Sequence, residues 1–178
     1  VTLVEAAARL LPLADAEAAE ALAGVFQDEG ISLHLGQPVT LAAQVGEAVH
    51  LIAGDNEITG STLLVALGRG PVTAGLGLEA AGVAADAKGI QVDRHLRTAN
   101  PRIYAAGDCL GGYQFTHYAG WQGVMAVRNA FLPMNAVGLR QNVPWVVFTE
   151  PEVAQAGLAE TRARDLHGDR LKTLVRPL

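Results

Sequence analysis

The spacing of apolar positions changes along the chain, and each change predicts a different element. Residues 1–4 form a short β-branched run that ends at Glu5 and predicts a strand. Residues 15–29 are rich in Ala and Glu and predict a helix that stops at Gly30. The apolar face of this helix consists of Ala18, Leu22, Val25 and Phe26. Alternation over Ile31–Leu35 predicts a second strand, so the chain begins as an α/β fold.

The middle of the chain has the pattern of an antiparallel ribbon. Val45–Ala53 and Glu57–Leu67 predict two strands, with turns at Gly46 and at residues 54–56. Within the second strand, Leu63–Leu67 is apolar at every position. A continuous apolar run is typical of a strand that is buried on both faces.

The second half follows a Gly-rich loop with two short strands, a helix, a strand and a helix. The strands are predicted at Gly89–Val92 and Ile103–Ala106, and the long helix runs from about His117 to Phe131. Val143–Thr149 predicts a further strand, and a helix is expected around Leu158–Leu166.

Composition narrows the classes of function. Of the 178 residues, 50% are apolar and 17% are charged, and the net charge of −5 offers no basic face for nucleic acid or an anionic membrane. The sequence contains neither a membrane-length apolar run nor a leader pattern at its start, so we expect a cytoplasmic protein. Cys109 is the single cysteine, which excludes an internal disulfide or dithiol pair. The histidines have no ligand spacing, and we predict no metal site.

The segment TANPRIYAAGD, residues 98–108, carries the strongest chemical signal. An apolar run ends in Gly107 and Asp108, and a Gly-rich loop and a helix follow. This order describes the carboxyl edge of an α/β sheet, where such folds bind ligands. Small residues allow close approach to the backbone, and Asp108 offers a hydrogen-bond acceptor. An ordinary strand that ends in a turn is the alternative interpretation.

Four collinear segments resemble the pyridine nucleotide–disulfide oxidoreductases, the class I flavoprotein disulfide reductases. VTLVE at 1–5 resembles the second strand of their NAD(P)-binding domain, and LLVALGRGPVT at 63–73 resembles the stretch that returns to the FAD domain. TANPRIYAAGDCLGGYQFTH at 98–117 is similar to their second flavin-binding motif. VPWVVFTEPEVAQAGLAE at 143–160 looks like the start of their dimer-interface domain. Within the family, the mercuric reductase-like and dihydrolipoamide dehydrogenase-like members are the most similar.

The resemblance implies an α/β fold made of partial FAD/NAD(P)-binding Rossmann-like domains and the start of an α+β dimer-interface domain. We expect residues 1–67 to be part of the NAD(P)-binding domain and residues 68–138 to be the C-terminal part of the FAD-binding domain. Residues 139–178 would be the start of the dimerisation domain. Family members also carry Gly-rich fingerprints, a Cys-x4-Cys pair and a C-terminal His-Glu pair, which this sequence lacks. We therefore expect a chain truncated at both ends.

The resemblance also assigns cofactor-binding residues, and no catalytic residue. For FAD, Asp108 would hold a ribityl hydroxyl, and the helix start would face the flavin with Gln114, Phe115, Thr116 and His117. For His117 the alternative is a capping or packing role.

For the nicotinamide cofactor, Glu5 would accept hydrogen bonds from the adenosine ribose, Val39 would contact adenine through its backbone, and Gly68 would lie against the nucleotide. Glu5 favours NADH over NADPH because a carboxylate repels a 2′-phosphate. Arg9 could instead help to bind that phosphate, so both nucleotides remain open.

The function implied is that of a fragment of an oxidoreductase that passes hydride from NAD(P)H through FAD to a disulfide or metal-ion-type acceptor. A homodimer that uses residues from about Val143 is expected, together with a small-molecule acceptor. Mercuric ion, a disulfide, a quinone and oxygen all remain open as that acceptor. The alternative function is a non-catalytic, truncated nucleotide-binding and dimerisation module.

Overall fold

The computed structural model describes residues 1–133 and 135–176, which form two compact units. The first unit comprises residues 1–66 and the chain from residue 146 onward, and the second comprises residues 67–145. The helices are α1 Ala16–Asp28, α2 Thr116–Phe131 and α3 Glu160–His167. The strands are β1 Thr2–Glu5, β2 Ser32–Leu35, β3 Val39–Val45, β4 Ala48–Ala53, β5 Asn56–Gly60, β6 Ala85–Asp86, β7 Gly89–Ile90, β8 Trp145–Val147 and β9 Val153–Gln155.

The first unit begins with the predicted strand, helix and strand. β1 and β2 pair in parallel, from Thr2 opposite Ser32 to Glu5 opposite Leu35. A parallel pair needs a crossover connection, and α1 provides it. Leu22 of α1 is 2% exposed and belongs to the core of this unit. The first strand–helix–strand prediction is therefore confirmed.

An antiparallel sheet of β3, β4 and β5 follows, and it corrects the predicted ribbon. The turns lie where they were expected, with Gly46 and Gly54 at positive φ values of 62° and 56°. Val45, however, ends β3 rather than starting the next strand. β3 was not among the predicted strands, because its sequence VTLAAQV does not alternate strictly between apolar and polar residues.

The predicted buried strand over Leu63–Leu67 is wrong. β5 ends at Gly60, and Leu64 and Leu67 are 87% and 88% exposed. A continuous apolar run becomes a buried strand only when other strands flank it on both sides. Within the described residues, no strand pairs with this segment.

The second unit contains the β6–β7 hairpin and a tight turn against it. Only glycine fits at position 89 in β7, because a Cβ there would lie 2.6 Å from the carbonyl oxygen of Cys109. The predicted strand Gly89–Val92 is therefore present only as β7. Ile103–Ala106 is not a strand, since a single bridge joins Arg97 to Tyr104.

The backbone hydrogen bonds explain why no strand forms over Ile103–Ala106. The N–H of Thr98 donates to the carbonyl of Ile103 at 3.0 Å, and the N–H of Ala105 donates to that of Leu96 at 3.1 Å. The next available N–H, that of Gly107, donates to a side chain instead. Pairing therefore ends after a single non-hydrogen-bonded pair, Arg97 and Tyr104.

Helix α2 starts at Thr116, close to the predicted His117, and a return segment of residues 135–144 runs back along it through contacts with Asn129, Gln122 and Tyr118 in turn. Near the end of α2, the Asn129 side chain binds both the N–H and the carbonyl of Ala136, at 2.6 and 2.8 Å. At its start, the N–H of Arg140 donates to the Tyr118 hydroxyl at 2.8 Å. The return segment is thus fixed to α2 by side-chain-to-backbone bonds.

The last part of the described chain contains the pair β8–β9 and helix α3. The predicted strand Val143–Thr149 is confirmed in its centre as β8, and the predicted helix near Leu158–Leu166 is α3. No helix in the described ranges is long and apolar enough to cross a membrane.

Candidate functional site

The turn before Asp108 is built on Gly107 and is fastened to α2. Gly107 has φ +82° and ψ −154°, a conformation that L side chains rarely adopt. Its buried N–H donates to Oε1 of Gln122 at 2.8 Å. A Cβ at this position would lie 3.1 Å from Cβ of Ala119 in α2. The turn therefore lies directly against the early part of α2.

Asp108 presents an exposed carboxylate at this turn. It begins a short 3-10 turn over Asp108–Leu110, and the N–H of Gly111 donates to its backbone carbonyl at 3.0 Å. Among the described residues, no hydrogen bond or ion pair engages its side chain. The neighbouring Cys109 donates its thiol to the carbonyl of Ala106 at 3.3 Å, which is a packing role.

The N-terminus of α2 lies in the same region with its first N–H groups uncapped. Phe115 precedes the helix in an extended conformation and makes no side-chain cap. Thr116 and His117 in the first turn are exposed. The first N–H groups of a helix have no partner within it, and the helix dipole adds partial positive charge there. This end of α2 therefore favours an electron-rich or anionic ligand.

Stacked rings and two hydrogen bonds hold residues 113–117, which lead into α2, in place. The Phe115 ring lies 5.5 Å from the His117 ring and 5.8 Å from that of Tyr113. His117 donates from Nε2 to the carbonyl of Pro144 at 2.8 Å, and Arg69 donates from Nη2 to the carbonyl of Gln114 at 3.1 Å. His117 is thus a packing and hydrogen-bonding side chain in this structure.

Gly68 lies in an open loop of the same unit. Its φ is +94°, a value that favours glycine, and a Cβ built there would contact nothing within 4 Å. The glycine therefore leaves room at the backbone for a ligand. Asp108, Gln114, Phe115, Thr116, His117 and Gly68 all belong to the second unit.

Glu5 and Val39 both belong to the first unit, where a backbone hydrogen bond joins Glu5 to Gln37, two residues before Val39. Oε1 of Glu5 accepts a hydrogen bond from the N–H of Ala7 at 2.8 Å, and the Glu5 carbonyl accepts one from the N–H of Gln37 at 3.0 Å. Val39, two residues after Gln37, begins β3 and is 41% exposed. A backbone hydrogen bond therefore joins the end of β1, with its half-buried Glu5, to the residues just before β3.

Two polar side chains with structural roles were missed in the sequence. Gln122 and Asn129 are 2% and 5% exposed, although both are polar, and each binds backbone groups outside α2. Their spacing from the buried Tyr118 places all three on the inner face of α2, a signal that the sequence contained. Among the described residues, no cluster of three or more His, Cys, Asp or Glu could hold a metal ion.

Comparison with known proteins decides the family. The family model for pyridine nucleotide-disulphide oxidoreductases matches residues 1–123, more than half of the chain. The chain belongs to this family. Its members use FAD and NAD(P)H, and the predicted α/β class is confirmed.

Named relatives agree with this assignment. The chain is 39% identical to a mercuric reductase from Bacillus cereus, with 100% of the chain and 29% of that relative covered. It is 34% identical to a dihydrolipoyl dehydrogenase from Bacillus subtilis, with 95% of the chain and 37% of the relative covered.

A solved structure gives the same fold. The HOCl-induced flavoprotein disulfide reductase RclA from Escherichia coli matches with a TM-score of 0.83 and 33% identity, over 93% of the chain and 38% of that protein. The chain thus spans between 29% and 38% of the length of these three relatives.

Proposed function

We propose that the complete protein is an FAD-dependent oxidoreductase that takes hydride from NAD(P)H, and that this chain supplies parts of both cofactor sites. The observation that carries the proposal is the exposed Asp108 carboxylate beside the uncapped start of α2. When bound, FAD would supply the hydride and electron chemistry that no side chain can perform. The residues present fit this cofactor, because they offer one free acceptor and a row of free donors in a single unit.

The role proposed for Asp108 is to accept a hydrogen bond from a ribityl hydroxyl. Its carboxylate is free of partners among the described residues, so binding would not first have to break an internal bond. Gly107 and the Gln122 amide hold the backbone of this turn in place. A charged acceptor gives a stronger hydrogen bond than a neutral one.

The role proposed for the start of α2 is to stabilise negative charge. Gln114, Phe115, Thr116 and His117 would line the flavin, with the free N–H groups of the first turn directed at it. Such donors contribute most when charge develops during the reaction, because they need no reorganisation. His117 would hold the approach to the helix rather than transfer a proton, since its Nε2 hydrogen is donated to Pro144.

For the nicotinamide cofactor, Glu5 would accept the adenosine ribose hydroxyls. Val39 would contact adenine through its backbone, and Gly68 would let the nucleotide approach the chain. The hydrogen bond between the Glu5 carbonyl and the N–H of Gln37, together with the exposure of Val39, supports the first two roles.

The larger assembly is part of the same proposal. Residues 1–67, 68–138 and 139–178 would belong to the NAD(P)-binding, FAD-binding and dimerisation domains of a homodimer. The final acceptor would be a disulfide, a metal ion or another small molecule. A location in the cytoplasm is proposed on the sequence alone.

The experiment is to purify the complete product of the coding region and to record its visible spectrum before and after NADH. Bound flavin absorption that bleaches on adding NADH supports the proposal. A colourless protein that does not take up FAD on reconstitution refutes it and favours the alternative, a non-catalytic nucleotide-binding and dimerisation module.

A further inference from the structure

The loop between β1 and α1 is folded around the guanidinium of Arg9. Nη1 of this half-buried side chain donates to the carbonyl of Ala14 at 2.8 Å and to that of Leu11 at 3.5 Å. Nη2 donates to the carbonyl of Pro12 at 3.0 Å. One side chain therefore collects three carbonyl groups from the second half of its own loop.

This loop has a backbone that needs such support. Leu11 has φ +46°, which is uncommon for a residue with a side chain. Its carbonyl also accepts the N–H of Ala14 at 2.9 Å, closing a turn. Three carbonyl dipoles aimed at one point would repel one another without a cation between them. Arg9 supplies that cation and a planar set of donors to match.

The first half of the same loop fixes Glu5. The N–H of Ala7 donates to Oε1 of Glu5 at 2.8 Å, and the carbonyl of Ala7 accepts the N–H of Gly36 at 2.7 Å. Arg9 follows Ala7 by two residues, so its clamp and the Glu5 turn share one short stretch of backbone. The salt bridges found among the described residues include neither Glu5 nor Arg9, so none of them places a cation beside the Glu5 carboxylate.

We propose that Arg9 is a positioning residue that sets the nucleotide selectivity of the chain. By binding the carbonyls of its own loop, Arg9 holds Glu5 in place to bind a ribose diol. Its guanidinium is then not available to pair with the 2′-phosphate of NADPH. The site then takes NADH rather than NADPH. The inference rests on the proposed NAD(P)H site, and it answers which of the two nucleotides that site selects.

Calorimetric titration of the complete gene product with NADH and with NADPH tests the inference. Wild type binds NADH more tightly than NADPH. Arg9→Ala weakens NADH binding about tenfold, with NADPH affinity changed less than about twofold. In a Glu5→Ala background, Arg9→Ala no longer changes the ratio of the two dissociation constants, because Arg9 acts through Glu5.

Several results would overturn the inference. A selective loss of NADPH affinity in Arg9→Ala would make Arg9 a phosphate ligand. An unchanged ratio would leave it a purely structural residue, as would an effect that persists in the Glu5→Ala background.

Arg9→Lys keeps the charge but loses the planar fork, and it tests the inference if Arg9→Ala fails to fold, as judged by circular dichroism. It should give a ratio between wild type and Glu5→Ala, and a wild-type ratio would overturn the inference. If wild type binds neither nucleotide, the proposed NAD(P)H site fails. Binding of NADH with a ratio that Arg9 does not influence removes only the inference about Arg9.

Discussion

The buried side chain of Gln122 accepts a hydrogen bond from the backbone N–H of Gly107 at 2.8 Å, across 15 residues of chain. The same amide donates from Nε2 to the carbonyl of Gly138 at 3.4 Å. One residue of α2 thus joins the turn that carries Asp108 to the return segment. The position of Asp108 beside the start of α2 depends on this amide.

Gln122→Met should therefore destabilise the protein. The substitution keeps the volume of the side chain but leaves the Gly107 N–H buried without a partner, at a cost of about 1–3 kcal/mol. Urea denaturation measures the change in the free energy of unfolding. Gln141→Met, at an exposed position, is the matched control and should stay within about 0.5 kcal/mol of wild type. Equal stability of the two variants would contradict the role of Gln122.

Two neighbouring glycines separate steric contact from backbone strain. Gly111 and Gly112 have nearly equal φ values of +68° and +66°. A Cβ on Gly111 would collide with the carbonyl of Lys88, whereas one on Gly112 would contact nothing within 4 Å. Gly112→Ala should cost about 1 kcal/mol from strain alone, and Gly111→Ala clearly more. Similar unfolding midpoints for both would show that the hairpin does not lie against this turn.

Glu5→Gln should shift selectivity toward NADPH. The amide keeps a hydrogen-bond acceptor for the ribose but removes the charge that repels a 2′-phosphate, a repulsion of about 1 kcal/mol for two unit charges 4 Å apart in water. The measurement is the ratio of NADH to NADPH dissociation constants. A ratio that matches wild type would show that Glu5 does not discriminate between the nucleotides.

Asp93 should make stability depend on acid pH. Burial raises the pKa of its carboxyl, but hydrogen bonds from the N–H groups of Arg97 and His95 outweigh that effect, and the net pKa lies below the ordinary value of an aspartate. A lowered pKa gives stability that is present above the unfolded value and is lost as pH falls through the folded value. The midpoint of urea unfolding should fall less steeply between pH 6 and pH 3 in Asp93→Asn than in wild type. The effect is small because the group is largely exposed. Parallel profiles would contradict it.

The sequence predicted secondary structure well where the hydrophobic pattern was clear and the pairing strand was close in sequence. β1, α1 and β2 follow from spacing alone, since the crossover brings the two strands together. Leu63–Leu67 failed because burial of a strand depends on neighbours that its own residues cannot specify. β3 was missed because Val39–Val45 does not alternate strictly between apolar and polar residues, although it pairs with β4 from Val39 onward.

For the candidate site, too, some features could be predicted from the sequence and others could not. Gly107, Asp108 and the start of α2 were predicted as a site from motif order, and the structure places them in one unit. The clamp of Arg9 on the carbonyls of its own loop could not be predicted, because it depends on the positive φ of Leu11. Side-chain-to-backbone bonds of this kind leave no periodic signal in a sequence.

The most direct test of the central claim is FAD binding by the complete gene product carrying Asp108→Ala. Titration of the apoprotein with FAD, followed by flavin fluorescence, should show affinity weakened by about 1–3 kcal/mol through loss of the ribityl hydrogen bond. Asp165→Ala, an exposed acid on α3, should bind FAD like wild type. Unchanged FAD affinity in Asp108→Ala, with the control also unchanged, would contradict the assignment of this turn and the start of α2 to the flavin.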